Sequence, residues 1–352
     1  MSPFDAAILA NLNFSAEDIA TLRRLGEYRG RQELFARQRP EVLESLKTVA
    51  VIESSESSNR LEGIRAPKAR IRALVVDNTE PKNRSEQEIA GYRDALNLIH
   101  ESGQAMAFST NVTLQLHRTI CGHLPQEGGV WKMVDNEIVE RGPSGEVLRV
   151  RFVPVSAAAT PGQMDELTAR YRDLEQLGRS DALVLIPLAI LDFLCIHPFT
   201  DGNGRVARLL TLQLIYHAGY EVGRYVSLER IFEQTRESYY ETLERSSSSW
   251  HEARHDPLSW MRYFWGVLLR AYEEFEERVG TIASGKGSKT RQVREAVQRR
   301  IAPFAISELQ RDTPGVSKEM VRRVLRQMRD EGLLETEGRG RGARWRKVSG
   351  AW

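Results

Sequence analysis

Apolar and polar positions alternate in blocks along this chain, and the sharpest change lies between two apolar stretches. Residues 182–196 are almost wholly apolar and 206–215 mostly so, and between them, overlapping the second, runs His197-Pro-Phe-Thr-Asp-Gly-Asn-Gly-Arg-Val-Ala-Arg208. A polar, glycine-broken loop between two apolar helices needs a partner for every polar group it buries. Elsewhere apolar residues recur at helical spacing. That period predicts helices over 15–36, from 41 onward, and over 53–62, 85–101 and 109–121. It predicts further helices over 163–178, 181–196, 203–218, 227–246 and 256–279. Ser15 and Asp18 have the spacing of an N-terminal cap, Pro40 suits a helix start, and Gly63 supplies a stop. Pro187 predicts a kink or a local break inside 181–196.

The pattern changes over 128–154. Glycines, the run 147–155 and the turn-like Gly142-Pro143-Ser144-Gly145 predict a β-hairpin. Residues 281–288, with Gly285 and Gly287, read as a linker. Beyond it, 289–300, 305–312 and 317–331 read as helices, Ser317 capping the last and Gly332 ending it, ahead of a glycine- and arginine-rich hairpin. The expectation is a mainly α fold: a helical domain carrying one hairpin, then a small second domain. No apolar run is long enough to span a bilayer, and Met-Ser-Pro-Phe-Asp does not open like a secretion signal, so a cytoplasmic protein without a membrane partner is expected.

Composition changes this picture in two places. The 352 residues hold two cysteines, Cys121 and Cys195, at no metal-ligand spacing, which disfavours a disulfide framework or a structural zinc. The formal charge of +2 hides an asymmetry: residues 286–347 carry 17 Lys and Arg against 8 Asp and Glu, a net of +9, which leaves −7 for the rest. One end of the molecule suits a polyanion.

The loop at 197–208 combines residue types that suit phosphate chemistry. Gly202 and Gly204 leave backbone N–H groups open to a ligand, and the helix N-terminus near Asn203 favours negative charge. Arg205 and Arg208 are three apart and share a helix face toward phosphate oxygens. Asp201 beside a bare phosphate would repel it; a Mg²⁺ between them removes the conflict. His197 titrates near neutral pH and can take a hydroxyl proton. These parts together suit nucleotidyl or phosphoryl transfer, and no Walker A or Rossmann fingerprint is present.

The run 197–208 resembles the signature loop of the Fic (filamentation induced by cAMP) family, and the resemblance extends over about residues 1–280. It implies a Fic-type helical core with a β-hairpin flap that transfers AMP from ATP to a Tyr, Thr or Ser hydroxyl of a target protein. By that resemblance His197 is the general base, Asp201 holds Mg²⁺, and Gly202, Asn203, Gly204 and Arg205 cradle the phosphates. Arg208 takes the γ-phosphate, and Phe199 anchors the loop. Ser58-Asn-Arg-Leu-Glu62-Gly63 resembles the family's inhibitory motif, Ser58 and Glu62 lying one helical turn apart. In the implied mechanism Glu62 occupies Arg208 and keeps the γ-phosphate from its seat. The implied division is an N-terminal helical region over 1–105 with an inhibitory helix at about 53–63, a catalytic core over 106–280, the linker at 281–288, and a domain at 289–352.

The segment at about 128–155 stands where the family's flap holds an extended peptide, here with Arg151, Phe152 and Val153; Phe152-Val-Pro-Val departs from the aromatic and two prolines of many relatives. Ser238, Tyr239 and Tyr240 match a position that relatives place near nucleotide or core. His251 and His255 are four apart beside Asp256, but no third ligand accompanies them, and a structural role is expected. The C-terminal segment looks like a winged helix-turn-helix domain: Val321, Val324, Leu325 and Met328 form one face of 317–331, and Lys318, Arg322, Arg323, Arg326 and Arg329 the other. Arg339, Arg341 and Arg344 fall in the wing, so residues 317–346 are a candidate DNA contact or a protein-docking face. Two alternatives to AMP transfer stay open: removal of AMP, with Glu62 acting on water, and a nucleotide-responsive transcriptional regulator. Self-modification and a homodimer are further expectations from the resemblance.

Overall fold

The computed structural model describes residues 4–38, 40–142, 144–178, 180–284, 288–298, 300, 303–313, 316–338 and 344–348. Helices α1 (Ala6–Ala10), α2 (Ala16–Gln38), α3 (Pro40–Leu61), α4 (Lys68–Val75), α5 (Arg84–Ser102) and α6 (Thr110–Ile120) precede a hairpin, β1 (Ile138–Arg141) and β2 (Val147–Phe152). There follow α7 (Thr160–Leu177), α8 (Ala182–Ile196), α9 (Asn203–His217), α10 (Leu228–Gln234), α11 (Arg236–Ser247) and α12 (Leu258–Ser284). Last come α13 (Ser288–Gln298), α14 (Ile306–Asp312), α15 (Lys318–Asp330), β3 (Leu334–Glu337) and β4 (Arg344–Lys347). The chain divides into two units, Met1–Phe275 and Glu276–Trp352. Helical residues occupy 281–284 and 288 of the expected linker, and 285–287 lie outside the described residues.

Local chemistry explains several element ends. Ser15 Oγ accepts from the Asp18 N–H and the Asp18 carboxylate from the Ser15 N–H, a capping box with Asp in place of Glu. The helices expected from 41 and over 53–62 are one helix, α3, because nothing between Thr48 and Glu53 breaks the helical period. Gly63 ends it at φ +81°, with the Ile64 N–H reaching back to the Asn59 carbonyl. The expected helix 227–246 is instead α10 and α11, parted at Thr235, whose hydroxyl bonds the Ile231 carbonyl and the Tyr263 hydroxyl. Helices α1 and α4 were not expected from the sequence pattern.

Pro187 does not break α8. Its missing N–H would have served the Leu183 carbonyl four residues back, and that oxygen accepts from the Trp265 indole N–H at 2.8 Å instead. Every residue from 183 to 193 is buried, so α8 is enclosed on all sides, packed against α7, α9 and α11. Helix α9 packs in turn against α3, α5 and α6. The loop between α8 and α9 is therefore pinned at both ends by core.

In the hairpin, β1 and β2 are antiparallel, with Ile138 opposite Phe152 and Val139 opposite Val150. Pro143 of its expected turn lies outside the described residues. In the second unit, Val293, Val297, Leu309, Val324, Leu325 and Trp345 share one small core, and β3 pairs antiparallel with β4. Phe304 bridges Trp345 across the other edge of β4. Gly332 ends the turn after α15 at φ +76°. Of the expected wing arginines, Arg339 and Arg341 lie outside the described residues. Arg344 is committed to Glu308 at 3.0 Å, so it is no free cation.

Candidate active site

Helix α8 ends at His197, whose backbone turns left-handed (φ 51°, ψ 60°). That turn swings the chain into the loop, and Gly202 (φ +83°) starts α9. The side chain of Asn203 faces the loop interior: its Oδ1 accepts from the Phe199 N–H at 2.9 Å and its Nδ2 donates to the Phe199 carbonyl at 2.7 Å. Asn203 thus shapes the loop, and the backbone N–H groups at the start of α9 have no intrahelical acceptors. Phe199 is fully buried and stacks on His117 at 3.7 Å.

His197 is pushed down to about 4 by burial, and the Lys132 cation lowers it further against the opposing Leu194 carbonyl and the Glu62 and Asp201 carboxylates. The ring is neutral at pH 7. Its Nδ1 lies 3.3 Å from the Leu194 carbonyl, an arrangement that places the proton on Nδ1 and leaves Nε2 as the acceptor. The Asp201 side chain is 73% exposed, with one oxygen taking the Gly202 N–H at 2.7 Å and the other 3.3 Å from Arg205. Arg205 is buried and bonds Glu88 at 3.2 Å, while its Nε has no partner among the described residues.

Arg208 is buried and faces α3. Its Nε donates to Ser58 Oγ at 2.8 Å, and its Nη2 donates to the Ser58 carbonyl at 2.9 Å and to Glu62 Oε1 at 2.8 Å. A Cβ added at Gly204 would lie 2.3 Å from the same Glu62 oxygen. The Glu62 carboxylate therefore rests against the first turn of α9 and on Arg208, as an anion at a helix N-terminus does. Arg205 and Arg208 do not share a partner: one turns to α5, the other to α3.

Residues 107–215 match the family model described as Fic/DOC. Over that segment the chain resembles the Fic/DOC family. It is 28% identical over 232 residues to the protein adenylyltransferase Fic of Drosophila willistoni, covering 62% of this chain and 44% of that protein. The Drosophila virilis protein of the same name matches at 28% over the same length. The chain thus spans less than half the length of these curated relatives. Among solved structures, a Fic family protein from Desulfovibrio desulfuricans G20 superposes with a TM-score of 0.62 at 18% identity, covering 100% of this chain and 99% of that one. Fic-1 (aa134 - 508) from C. elegans superposes with a TM-score of 0.59 at 22% identity, covering 76% and 74%.

Around the loop at 197–208 stand residues that the sequence pattern did not single out. His117 Nδ1 accepts the Gly129 N–H at 2.8 Å, which puts the ring proton on Nε2, facing the Asp201 carbonyl at 3.2 Å. Burial holds His117 down at about 4, so it stays neutral. Lys132 and Asn136 reach the loop from the segment before the hairpin. The one available signal was Lys132 itself, a lone cation in the run Val130-Trp-Lys-Met-Val134.

On the hairpin, Arg151 pairs with Glu244, Phe152 stacks on His251 at 5.4 Å, and the Val153 carbonyl lies 2.8 Å from His251 Nε2. Of that trio Val153 keeps an exposed side chain, at 55%. His251 and His255 do not share a helix face, because the short 3₁₀ turn Trp250–Glu252 ends at left-handed Ala253. No group of three or more metal-ligating side chains occurs among the described residues. Tyr239 is buried and its ring meets Tyr240 edge-on at 5.1 Å; both feel the charges of Arg208 and Glu62. Ser238 lends its carbonyl to the Thr242 hydroxyl within α11.

Proposed function

We propose that the protein is a self-inhibited adenylyltransferase that moves AMP from ATP to a Tyr, Thr or Ser hydroxyl of a protein and releases pyrophosphate. The observation that carries this is the Glu62–Arg208 pair at 2.8 Å inside an otherwise complete Fic loop. A carboxylate of the chain's own occupies the guanidinium that would seat the γ-phosphate.

In the proposed reaction Nε2 of neutral His197 takes the proton of the acceptor hydroxyl as its oxygen attacks the α-phosphorus. The bond to the bridging oxygen breaks, and pyrophosphate leaves. Backbone N–H groups at the start of α9, with Arg205, meet the phosphate oxygens. Gly202 and Gly204 keep that approach free of side chains. Asp201 fits a Mg²⁺: it is a single exposed carboxylate at the rim of an anion cradle, and Mg²⁺ bound with substrate phosphates takes few protein ligands. Bound there, Mg²⁺ would offset charge on the α- and β-phosphates. Covalent AMP on the protein after incubation with ATP and Mg²⁺, seen by intact mass and lost in His197→Ala, is the expected result. No adduct on the protein or on an added acceptor, with Glu62 removed, refutes the activity.

The hairpin would register the acceptor by main-chain bonds along β2, with Val153 turned outward. We also read the second unit as a winged helix-turn-helix that binds duplex DNA through α15. Lys318, Arg322 and Arg326 are exposed, one turn apart, and have no acidic partner among the described residues.

A further inference from the structure

We propose that Lys132, seconded by Asn136, is the positioning residue of the catalytic base, holding the left-handed turn at His197 from both sides. This rests on the reading of His197 as the base. Three hydrogen bonds from one short segment land on the carbonyls around that residue. Lys132 Nζ donates to the Ile196 carbonyl at 3.1 Å, and the Lys132 backbone N–H to the Pro198 carbonyl at 2.9 Å. Asn136 Nδ2 donates to the Phe199 carbonyl at 3.2 Å, and its Oδ1 accepts from Lys132 Nζ at 2.8 Å.

The carbonyls so held bracket His197, a non-glycine residue at φ 51°, which persists only where its surroundings fix it. At the end of α8 the Ile196 carbonyl has no following helical turn to bond it. Lys132 fills that place.

The choice of a lysine matters as well. Lys132 is 2% exposed and, among the described residues, its ammonium bonds only neutral oxygens; Asp135, the acid nearest in sequence, acts on it through charge alone and accepts from the Ala157 N–H. A buried ammonium without a contacting carboxylate is an unfavourable way to fill two acceptors, if filling them were its whole role. Its charge faces His197, where the other charged groups are the Glu62 and Asp201 carboxylates. The two acids favour the imidazolium, and Lys132 opposes them, keeping the ring able to accept a proton. Nothing here requires Lys132 to touch the nucleotide or the acceptor.

The test uses the full chain in the Glu62→Gly background. Lys132→Met is expected to lower the rate constant for AMP transfer about 10- to 100-fold, the scale of a misplaced catalytic group, with KM for ATP within about twofold. Its acid limb should move up by about one pH unit, since loss of the cation lets the imidazolium form more easily. Imidazole NMR of the protein without nucleotide should show the same upward move of His197. A folded Lys132→Met protein with unchanged rate constant and unchanged His197 titration overturns the proposal. If Lys132→Met does not fold, Asn136→Ala takes over: a several-fold fall in rate constant at constant KM supports the role, and a parental rate constant overturns it. If the Glu62→Gly parent transfers no AMP, the proposed activity fails by itself, and the nucleotide-free His197 titration still decides whether Lys132 tunes the ring.

Discussion

Glu62 Oε1 lies 2.8 Å from Arg208 Nη2 and is the atom that a side chain at Gly204 would strike first. One oxygen thus depends on two features of the segment 202–208, a guanidinium that attracts it and a missing Cβ that admits it. Ser58 holds the same arginine through its hydroxyl and its carbonyl, so the end of α3 and the Glu62 that follows it are fitted to Arg208 as a unit.

The missing Cβ gives a prediction that separates the brake from the chemistry. Gly204→Ala should displace the Glu62 carboxylate and shrink the gain obtained by removing Glu62. The ratio of AMP-transfer rates, Glu62→Gly over its parent, is expected to fall to below about threefold in the Gly204→Ala background, against about tenfold or more otherwise. Because this is a ratio, any direct harm of the alanine to catalysis cancels. An undiminished ratio means the carboxylate does not need the space.

Buried histidines set an acid limit on stability. His100 is held down at about 3 and His117 and His197 at about 4, burial being the first cause in each. An unfolded chain binds protons at these sites from about pH 6.5 downward, where the folded chain does not. Stability is therefore full above pH 6.5 and falls as pH drops toward 4, by roughly 1–2 kcal/mol per histidine at pH 5. Asp192, raised to about 6 by burial, works in the opposite direction over the same range. Urea unfolding at pH 7.5 and pH 5 should show the net loss, and His100→Gln should lessen its slope. Equal midpoints at both pH values contradict it.

The contiguous part of the site was legible because its chemistry lies in one loop: His197, Asp201, Gly202, Gly204, Arg205 and Arg208 are all within it. Ser58 and Glu62 were legible as a helix-face pair, although their partner lies about 150 residues away. His117, Lys132, Asn136 and Glu88 were not. Each is a single residue 63 to 117 positions from the loop residue it bonds, and apart from Lys132's place as a lone cation in an apolar run no local pattern marks such a contact. The fold followed the same division. Capping and helical period found most helices, whereas α8 kept its course through Pro187 because a tryptophan from α12 supplied the missing donor.

For the second unit, the row on α15 that has no acidic partner among the described residues predicts binding dominated by phosphate contacts. Affinity for a random duplex should fall steeply with salt, and Arg322→Ala with Arg326→Ala should lower the log–log salt slope by about two. A fluorescence titration at several ionic strengths reads this directly. Absence of binding at low salt leaves α15 as a protein-docking face.

AMP incorporation by the full chain and its Glu62→Gly variant, followed side by side by intact mass with ATP and Mg²⁺, tests the proposed brake most directly, with His197→Ala in both as control. The variant should incorporate AMP at least about tenfold faster than the parent, and His197→Ala should lower its rate by about 10²- to 10⁴-fold. Equal incorporation by parent and variant would contradict a brake at Arg208.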